Sequence, residues 1–487
     1  MTVPKFSFAS RYTVRDGDFV VLPYCSEKTA CFPRALLPPP LAKAAGPPEK
    51  RGGKETVFCG SVNGKKVIAR AARLDAEHSD AAGEIKQCVS SALTAARDEG
   101  CRRVVVLVGG KHADLVLAAQ EGALLGGYRF ETYLSEKKDP LGVMAVMGAG
   151  AAQASLKRAL SRRAGMFACV NFARDVLNEP PNVCKPPALA REFRKMGKAS
   201  GLKVTVWDDK RLARERCGGI LAVGQGSAAK PRLVRGEYRP RGARKHLCLV
   251  GKGVTFDSGG YCLKPEDRQI GMKYDMAGAA MMFAAACAIA RLALPLRVTV
   301  LTPLVENAIA GDAYMNTSVL TTRSGRTIEV HSTDAEGRLI LADALALGAE
   351  GKPDWIVDAA TLTGACVVAL GDDLAAAFGT DPDFTASLMA AGSGEGELFW
   401  ELPLHMPYAE RLKTTIADCK NTGGRPAGSI TGALFLKQWV PDGMKWIHCD
   451  IAGPGGKEDA FRHLDKGAKG FGVKTIVALA EKLSGKK

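Results

Sequence analysis

The apolar positions of this chain fall into two kinds of run. HLCLVGKG (246–253), RVTVLTPL (297–304), DWIVDAATL (354–362) and KWIHCDIA (445–452) are short and apolar at successive positions. A strand reads this way when both of its faces are buried, which predicts a sheet covered by helices on either side, with functional residues at the strand ends. Between these runs lie stretches of helical length, such as the small-residue MAGAAMMFAAACAIA (276–290). Towards the N-terminus, DFVVLPY (18–24), KKVIARAARL (65–74) and RRVVVLVGG (102–110) alternate with helical stretches near 80–98 and 113–125. That alternation predicts a second, smaller α/β unit. A chain of 487 residues exceeds one typical domain. The expected architecture is α/β in two domains: a small N-terminal α/β domain (1–165) and a larger C-terminal domain (166–487) with a central mixed sheet flanked by helices. LLPPPLAKAAGPPEKRGGKE (36–55) is rich in Pro, Gly and Lys and is expected to be an exposed loop.

Two segments break the apolar pattern with charge. Ser332–Leu345, STDAEGRLILADAL, sets Asp334, Glu336 and Arg338 at alternate positions just before an apolar helical run. Burying carboxylates is costly unless a cation or a hydrogen-bond network neutralises them. Earlier in the chain, Val250–Asp275 breaks from a strand into a glycine-rich turn and offers Lys252, Asp257, Lys264 and Asp275. Oxygen-rich clusters suit Mg and Mn, and mixed oxygen and nitrogen sites also accept Zn. Two divalent ions roughly 3.5–4 Å apart, bridged by carboxylates, activate a water and polarise a carbonyl. Thr333-x-x-Glu336 is also a capping-box pattern, which would account for Glu336 but not for Asp334 or the second segment. GKGVTFDSGG lacks the spacing of a phosphate loop. None of the seven histidines lies in an H-E-x-x-H pattern, and His331 reads as structural.

GKGVTFDSGG, MKYDMAGAA, TDAEGRLILADAL and DAATLTGA occur in the order of the signatures of the leucyl aminopeptidase family of cytosol aminopeptidases, which this chain resembles over about residues 165 to 480. NFARDVLNEPPNVCKPPALA (171–190) resembles that family's interdomain segment. The resemblance implies that the larger domain is catalytic and binds two divalent ions, zinc or manganese, with magnesium or cobalt as alternatives. Lys252, Asp257, Asp275, Asp334 and Glu336 match the metal-ligand positions. A lysine ligates only as the neutral amine, so a dication and burial must together pull Lys252 well below its ordinary ~10.4. Lys264 matches the catalytic lysine that stabilises the oxyanion. Arg338 matches the arginine that holds a bicarbonate ion, the general base that carries a proton from water to the leaving amine. Met272, Thr361, Leu362, Gly364 and Ala452 match the first side-chain pocket, implying an apolar preference for leucine or methionine. Gly455 falls near a position that some relatives fill with a bulkier residue, which suggests a wider pocket. The family also implies peptide substrates with a free N-terminus, and homohexamers built as dimers of trimers. The family often has Asn where this chain has Ser332. A two-metal phosphatase is the chemical alternative. An inactive scaffold would not need both lysines.

Composition adds three bounds. No charge-free apolar run of about 20 residues is present, so a membrane span is not expected. Fourteen cysteines without a C-x-x-C pair read as reduced, buried thiols of an intracellular protein. Net charge is +16, and residues 1–165 hold 25 basic against 16 acidic side chains, with Lys157, Arg158, Arg162 and Arg163 closely spaced. Such a bias suits nucleic acid as well as solubility. No nucleic-acid motif accompanies it, so nucleic-acid binding stays open as a second role. The first fifteen residues are basic without an acid, a faint likeness to a mitochondrial transit peptide, but they lead directly into a strand. The expected location is the cytoplasm.

Overall fold

The structure is a computed structural model and describes residues 3–9, 12–26, 29–30, 55–62, 64–73, 81–108, 112–137, 140–147, 153–456 and 458–485. The proline-rich run at 36–55 lies outside these residues except for Glu55, which opens a strand. The chain divides into two compact units, Met1–Asn171 with Asp459–Gly467, and Phe172–Glu458 with Ala468–Lys487. The division falls inside the helix Gln153–Asn178.

In the first unit the sheet runs in the order Lys5–Ala9, Gly142–Met147, Arg103–Val108, Asp18–Ser26, Lys65–Arg73, Glu55–Val62. All neighbours are parallel except the last pair. The strands foreseen at 18–24, 65–74 and 102–110 are present, and the two helical stretches appear as Ala81–Asp98 and Ala113–Glu121. Val104, Val106 and Val108 pack with Ile85, Val89 and Leu93 of the first helix. Lys5–Ala9, inside the basic leader, is an edge strand. Of the basic cluster, Arg163 pairs at 2.9 Å with the fully buried Glu121 and lies over the Phe167 ring. That arginine is engaged inside its own unit.

The second unit is built on a nine-stranded mixed sheet, ordered Phe399–Glu401, Ala375–Gly379, Lys445–Asp450, Trp355–Ala360, His246–Gly251, Arg297–Asn307, Arg232–Tyr238, Lys203–Trp207. The central four are parallel, and the flanking pairs are antiparallel apart from the outermost Ala375–Gly379 and Phe399–Glu401. Gly253–Asp257 pairs with the far end of Arg297–Asn307. Side chains alternate between the faces of a strand. Cys248 and Val250 join the core containing Leu339, Ile340 and Leu345 of the helix Gly337–Glu350. Leu247 and Leu249, on the other face, are equally buried, and the helix Ala277–Arg291 packs on the same strand. This helix is buried all round from Ala277 to Ala290, as its apolar sequence requires. Cys217, Cys248, Cys366 and Cys449 are buried reduced thiols. No helix among the described residues is long and apolar enough to cross a membrane.

Small residues let the second helix approach the strand ends. Ala279 N donates to Lys252 O at 2.7 Å and Lys252 N donates to Ala359 O at 3.0 Å. A Cβ on Gly278 would overlap Ala359 O and lie 2.9 Å from Lys252 N. We expect Gly278→Ala to cost about 2 kcal/mol of stability through overpacking. Denaturant unfolding measures this, and a loss below ~0.5 kcal/mol would show that the helix can shift freely.

Candidate metal centre

The charged segment Val250–Asp275 begins where a central strand ends, and Ser332–Leu345 meets it there through the contact of Glu336 with Lys252. Asp257 terminates the Gly253–Asp257 strand, and its Oδ1 accepts from Gly259 N at 2.9 Å and Asn307 Nδ2 at 2.8 Å. Gly259 has φ +87°, and a Cβ there would overlap Cys262 O and sit 3.1 Å from Asp334 Oδ1. The turn therefore closes over the site only with glycine. Asp275 lies in the 3-10 helix Met272–Met276, just before the buried helix. Asp334 and Glu336 precede the helix Gly337–Glu350.

The two lysines join the carboxylates. Lys252 Nζ is 2.8 Å from Asp275 Oδ1, 2.9 Å from Glu336 Oε1, and donates to Thr361 O at 2.9 Å. Lys264 Nζ is 2.9 Å from Asp257 Oδ2 and also pairs with Asp334. The capping box is not formed: Glu336 is the N-cap and no side chain caps the helix. Thr333 instead donates to Gly259 O at 2.7 Å and accepts from Cys262 N at 2.8 Å, tying one charged segment to the other. Ser332 Oγ accepts from Asp334 N at 3.2 Å.

Burial, followed by repulsion from Glu336, pushes Asp257 up to about 6 despite the lysines. Burial also drives Asp275 well above the carboxylate range, with Lys252 opposing. Asp334 is raised by burial and Glu336. For Glu336, burial acts upward, but Lys252 and Lys264 outweigh it and hold the group below its ordinary value. Burial likewise works against the Lys252 ammonium, and Asp275, Glu336 and Asp257 outweigh it, holding Lys252 well above the usual lysine range. The lowering expected for a ligating Lys252 therefore needs a dication in contact, since the carboxylates alone act the other way.

The residues fit a pair of divalent cations. Oxygens of Asp257, Asp334 and Glu336 lie within 4.8 Å of one another. Asp275 Oδ2 and Glu336 Oε2 are buried without a hydrogen-bond partner among the described residues. Four crowded carboxylates with unsatisfied lone pairs, only partly neutralised by two lysines, make an oxygen-rich donor set. Beside them Arg338 is buried, its NH1 donates to Asn421 O at 2.8 Å, and its Nε has no partner. Burial lowers this guanidinium to about 10, with Glu336 and Asp450 opposing.

A profile of the catalytic domain of the cytosol aminopeptidase family matches residues 171–477. The chain belongs to the cytosol aminopeptidase family. Its activity is that of an aminopeptidase, a hydrolase. It is 44% identical over 368 residues to a "Probable cytosol aminopeptidase" of Syntrophotalea carbinolica, a match covering 74% of each chain. The corresponding Aquifex aeolicus protein is 40% identical over 401 residues, covering 80% of this chain and 79% of the relative. Among solved structures, the bottromycin maturation enzyme BotP in complex with Mn matches with TM-score 0.84 and 31% identity, covering 96% of this chain and all of that one. A mutant of tomato leucine aminopeptidase matches with TM-score 0.83 and 28% identity, covering 99% and 97%.

Within this aminopeptidase fold the expected pocket residues group around two carboxylates. Thr361 Oγ1 donates to Asp275 Oδ1 at 2.7 Å. Asp450 Oδ1 accepts from Leu362 N at 3.1 Å and Ala452 N at 3.2 Å, and its Oδ2 accepts from Thr363 Oγ1 at 2.6 Å. Met272 opens the 3-10 helix that carries Asp275. Gly364 is exposed at the start of a short helix, where an added Cβ would meet nothing within 4 Å. The suggestion of a wider pocket at Gly455 is not borne out. Ile451 and Ala277 already stand 3.1–3.3 Å from where its Cβ would lie, so the missing side chain opens no space.

Several residues that hold the site escaped the sequence reading. Asn307 Nδ2 bridges Asp257 Oδ1 and Thr333 O, and Tyr314 Oη donates to the same Thr333 carbonyl at 2.8 Å. Asn421 is fully buried. Its Oδ1 accepts from His331 N and Ser332 N, and its Nδ2 donates to Ser332 O and Ala335 O. Asn421 lies in CKNTGGRPAGS, whose local pattern says only that the backbone turns.

Proposed function

We propose that this enzyme releases N-terminal amino acids, preferentially leucine-like apolar ones, from peptides with a free N-terminus, using two divalent ions held by Lys252, Asp257, Asp275, Asp334 and Glu336. The observation that carries this reading is the gathering of all five in one place: Lys252 contacts Asp275 and Glu336, the oxygens of Asp257, Asp334 and Glu336 lie within 4.8 Å of one another, and unpaired buried carboxylate oxygens stand among them. Bound there, zinc or manganese ions would supply an activated water and polarise the scissile carbonyl, and a bicarbonate on Arg338 would supply the general base. The chain's own groups do the rest. Lys264 is held cationic because Asp257, Glu336 and Asp334 outweigh its burial, and it meets the negative charge that develops on the attacked carbonyl. Arg338 keeps its Nε available to an anion while Asn421 O fixes its orientation. Leu362 and Ala452, tied together through Asp450, offer an apolar wall to the first side chain. A homohexamer in the cytoplasm completes the reading.

The test is hydrolysis of leucine amide against its N-acetylated form by Mn- or Zn-loaded enzyme. Turnover of the free amine only, abolished by chelator and restored by metal, is expected. Equal turnover of the blocked substrate would overturn the proposal. Lys264→Met should lower kcat about a hundredfold while leaving bound metal unchanged. Loss of metal in that variant would instead make Lys264 a structural counter-charge.

A further inference from the structure

At the opposite ends of the central strands lies a cavity of about 220 Å³, lined among others by Arg235, His246, Arg297, Thr299, Gly348 and Glu350. Arg235 comes from the strand Arg232–Tyr238, His246 from His246–Gly251, and Arg297 with Thr299 from Arg297–Asn307. Three neighbouring strands thus bring basic side chains to one enclosed space. Three of their nitrogens, Arg235 Nε, Arg297 Nε and His246 Nδ1, are buried without a hydrogen-bond partner among the described residues. His246 is only 5% exposed. Buried donors are ordinarily satisfied, and two orphaned guanidinium N–H groups beside an unpartnered imidazole nitrogen call for a missing acceptor.

The local charge points the same way. Arg235 and Arg239 share one carboxylate, Glu237, at 3.0 Å and 2.5 Å. Asp354 is taken by Lys245 Nζ and by His246 N. Glu350, the acid on the cavity wall, is gripped by Arg323 at 2.8 Å and 3.0 Å. Arg297 has no ion-pair partner among the described residues, so positive charge is in excess. The C-terminal end of the helix Gly337–Glu350 opposes an anion through its dipole. Two of its last carbonyls, Gly348 O and Ala349 O, already accept from Gly351 N and Lys352 N.

We infer that this cavity is a binding site for a small tetrahedral oxyanion of the phosphate class, held by Arg297, Arg235 and His246. Arginine forks suit such oxygens, and a cavity of this size holds the ion with room for water at ~30 Å³ each. Burial, and then Arg297, pull His246 down to about 4, so the imidazole is neutral. Nε2 lies 2.9 Å from Thr299 Oγ1, and in the tautomer in which that hydroxyl donates, Nδ1 carries the proton and can donate into the site.

The experiment titrates the full-length, metal-loaded enzyme with inorganic phosphate and follows the melting temperature, against sodium chloride at equal ionic strength. A saturable rise with phosphate is expected, and its apparent affinity should fall about tenfold or more in Arg297→Met, whose aminopeptidase activity should match the wild type. No rise beyond the chloride control overturns the inference. So does an unchanged phosphate dependence in Arg297→Met, which would assign the ion to the metal centre or to Arg338. Should that variant fail to fold, crystals of the wild type soaked in selenate decide independently. An anomalous peak among Arg235, Arg297 and His246 supports the site, and selenate found only elsewhere overturns it.

Discussion

Lys252→Arg is expected to abolish aminopeptidase turnover, by roughly a thousandfold or more, although the positive charge is kept. The ammonium sits among Asp275 Oδ1, Glu336 Oε1 and Thr361 O at 2.8–2.9 Å, an arrangement that a compact point charge satisfies and a planar guanidinium does not. Space is equally restrictive. A Cβ on Gly337 would overlap Lys252 Cε and lie 2.6 Å from its Cδ, so the helix start is packed directly against the lysine stem. An arginine there would have to displace that helix start, which carries Glu336 as its N-cap. It also stays protonated, so it cannot offer the nitrogen lone pair that a neutral lysine offers. Metal analysis should show one ion per chain lost from the variant, with the fold retained by circular dichroism. Full metal content with full activity would show that Lys252 only balances charge.

The charged residues of the site were legible because they crowd into two short segments whose charge has no local reason. Lys252, Asp257 and Asp275 all fall within the stretch 252–275 that follows one strand, and Asp334, Glu336 and Arg338 stand at alternate positions around the start of one helix. The central strands were legible for a related reason, since burial on both faces leaves unbroken apolar runs. The supports of the site were not. Asn307, Asn421 and Asp450 each reach a site segment fifty to ninety residues away, at Asp257, His331 and Leu362, and nothing in their own neighbourhood records those partners. Thr333 shows the reverse case. Its local pattern suggested a cap, but its hydroxyl is held by Gly259 and Cys262 instead, so a long-range contact overrode a local preference. The glycine at 455 misled because a missing side chain reads as space, whereas Ile451 and Ala277 had already filled it.

The strongest of these unseen supports is Asn421, and its removal should destabilise the protein while misplacing three site residues at once. Its side chain is fully buried and makes all four of its hydrogen bonds to the backbone of His331, Ser332 and Ala335, the segment that carries Asp334 and leads to Glu336 and Arg338. Asn421→Ala leaves His331 N, Ser332 N and Ala335 O without this partner, and leaves Ser332 O only the 3.3 Å bond from Ala335 N. A single water in the vacated space can recover only part of this, so a loss on the order of 3 kcal/mol is expected. Activity should fall about ten- to a hundredfold, as when the outer partners of metal ligands are removed. Asn421→Asp separates polarity from geometry. It keeps the acceptor for His331 N and Ser332 N but turns a carboxylate oxygen on the carbonyls of Ser332 and Ala335. That repulsion raises the folded-state pKa of the introduced carboxyl, so its stability deficit should be small below the unfolded value of ~3.9 and grow as pH rises towards the folded one. Unfolding of both variants by denaturant between pH 4 and pH 8 measures this. A pH-independent deficit for Asn421→Asp, or a loss under ~0.5 kcal/mol for Asn421→Ala, would show that this clamp does not hold the motif in place.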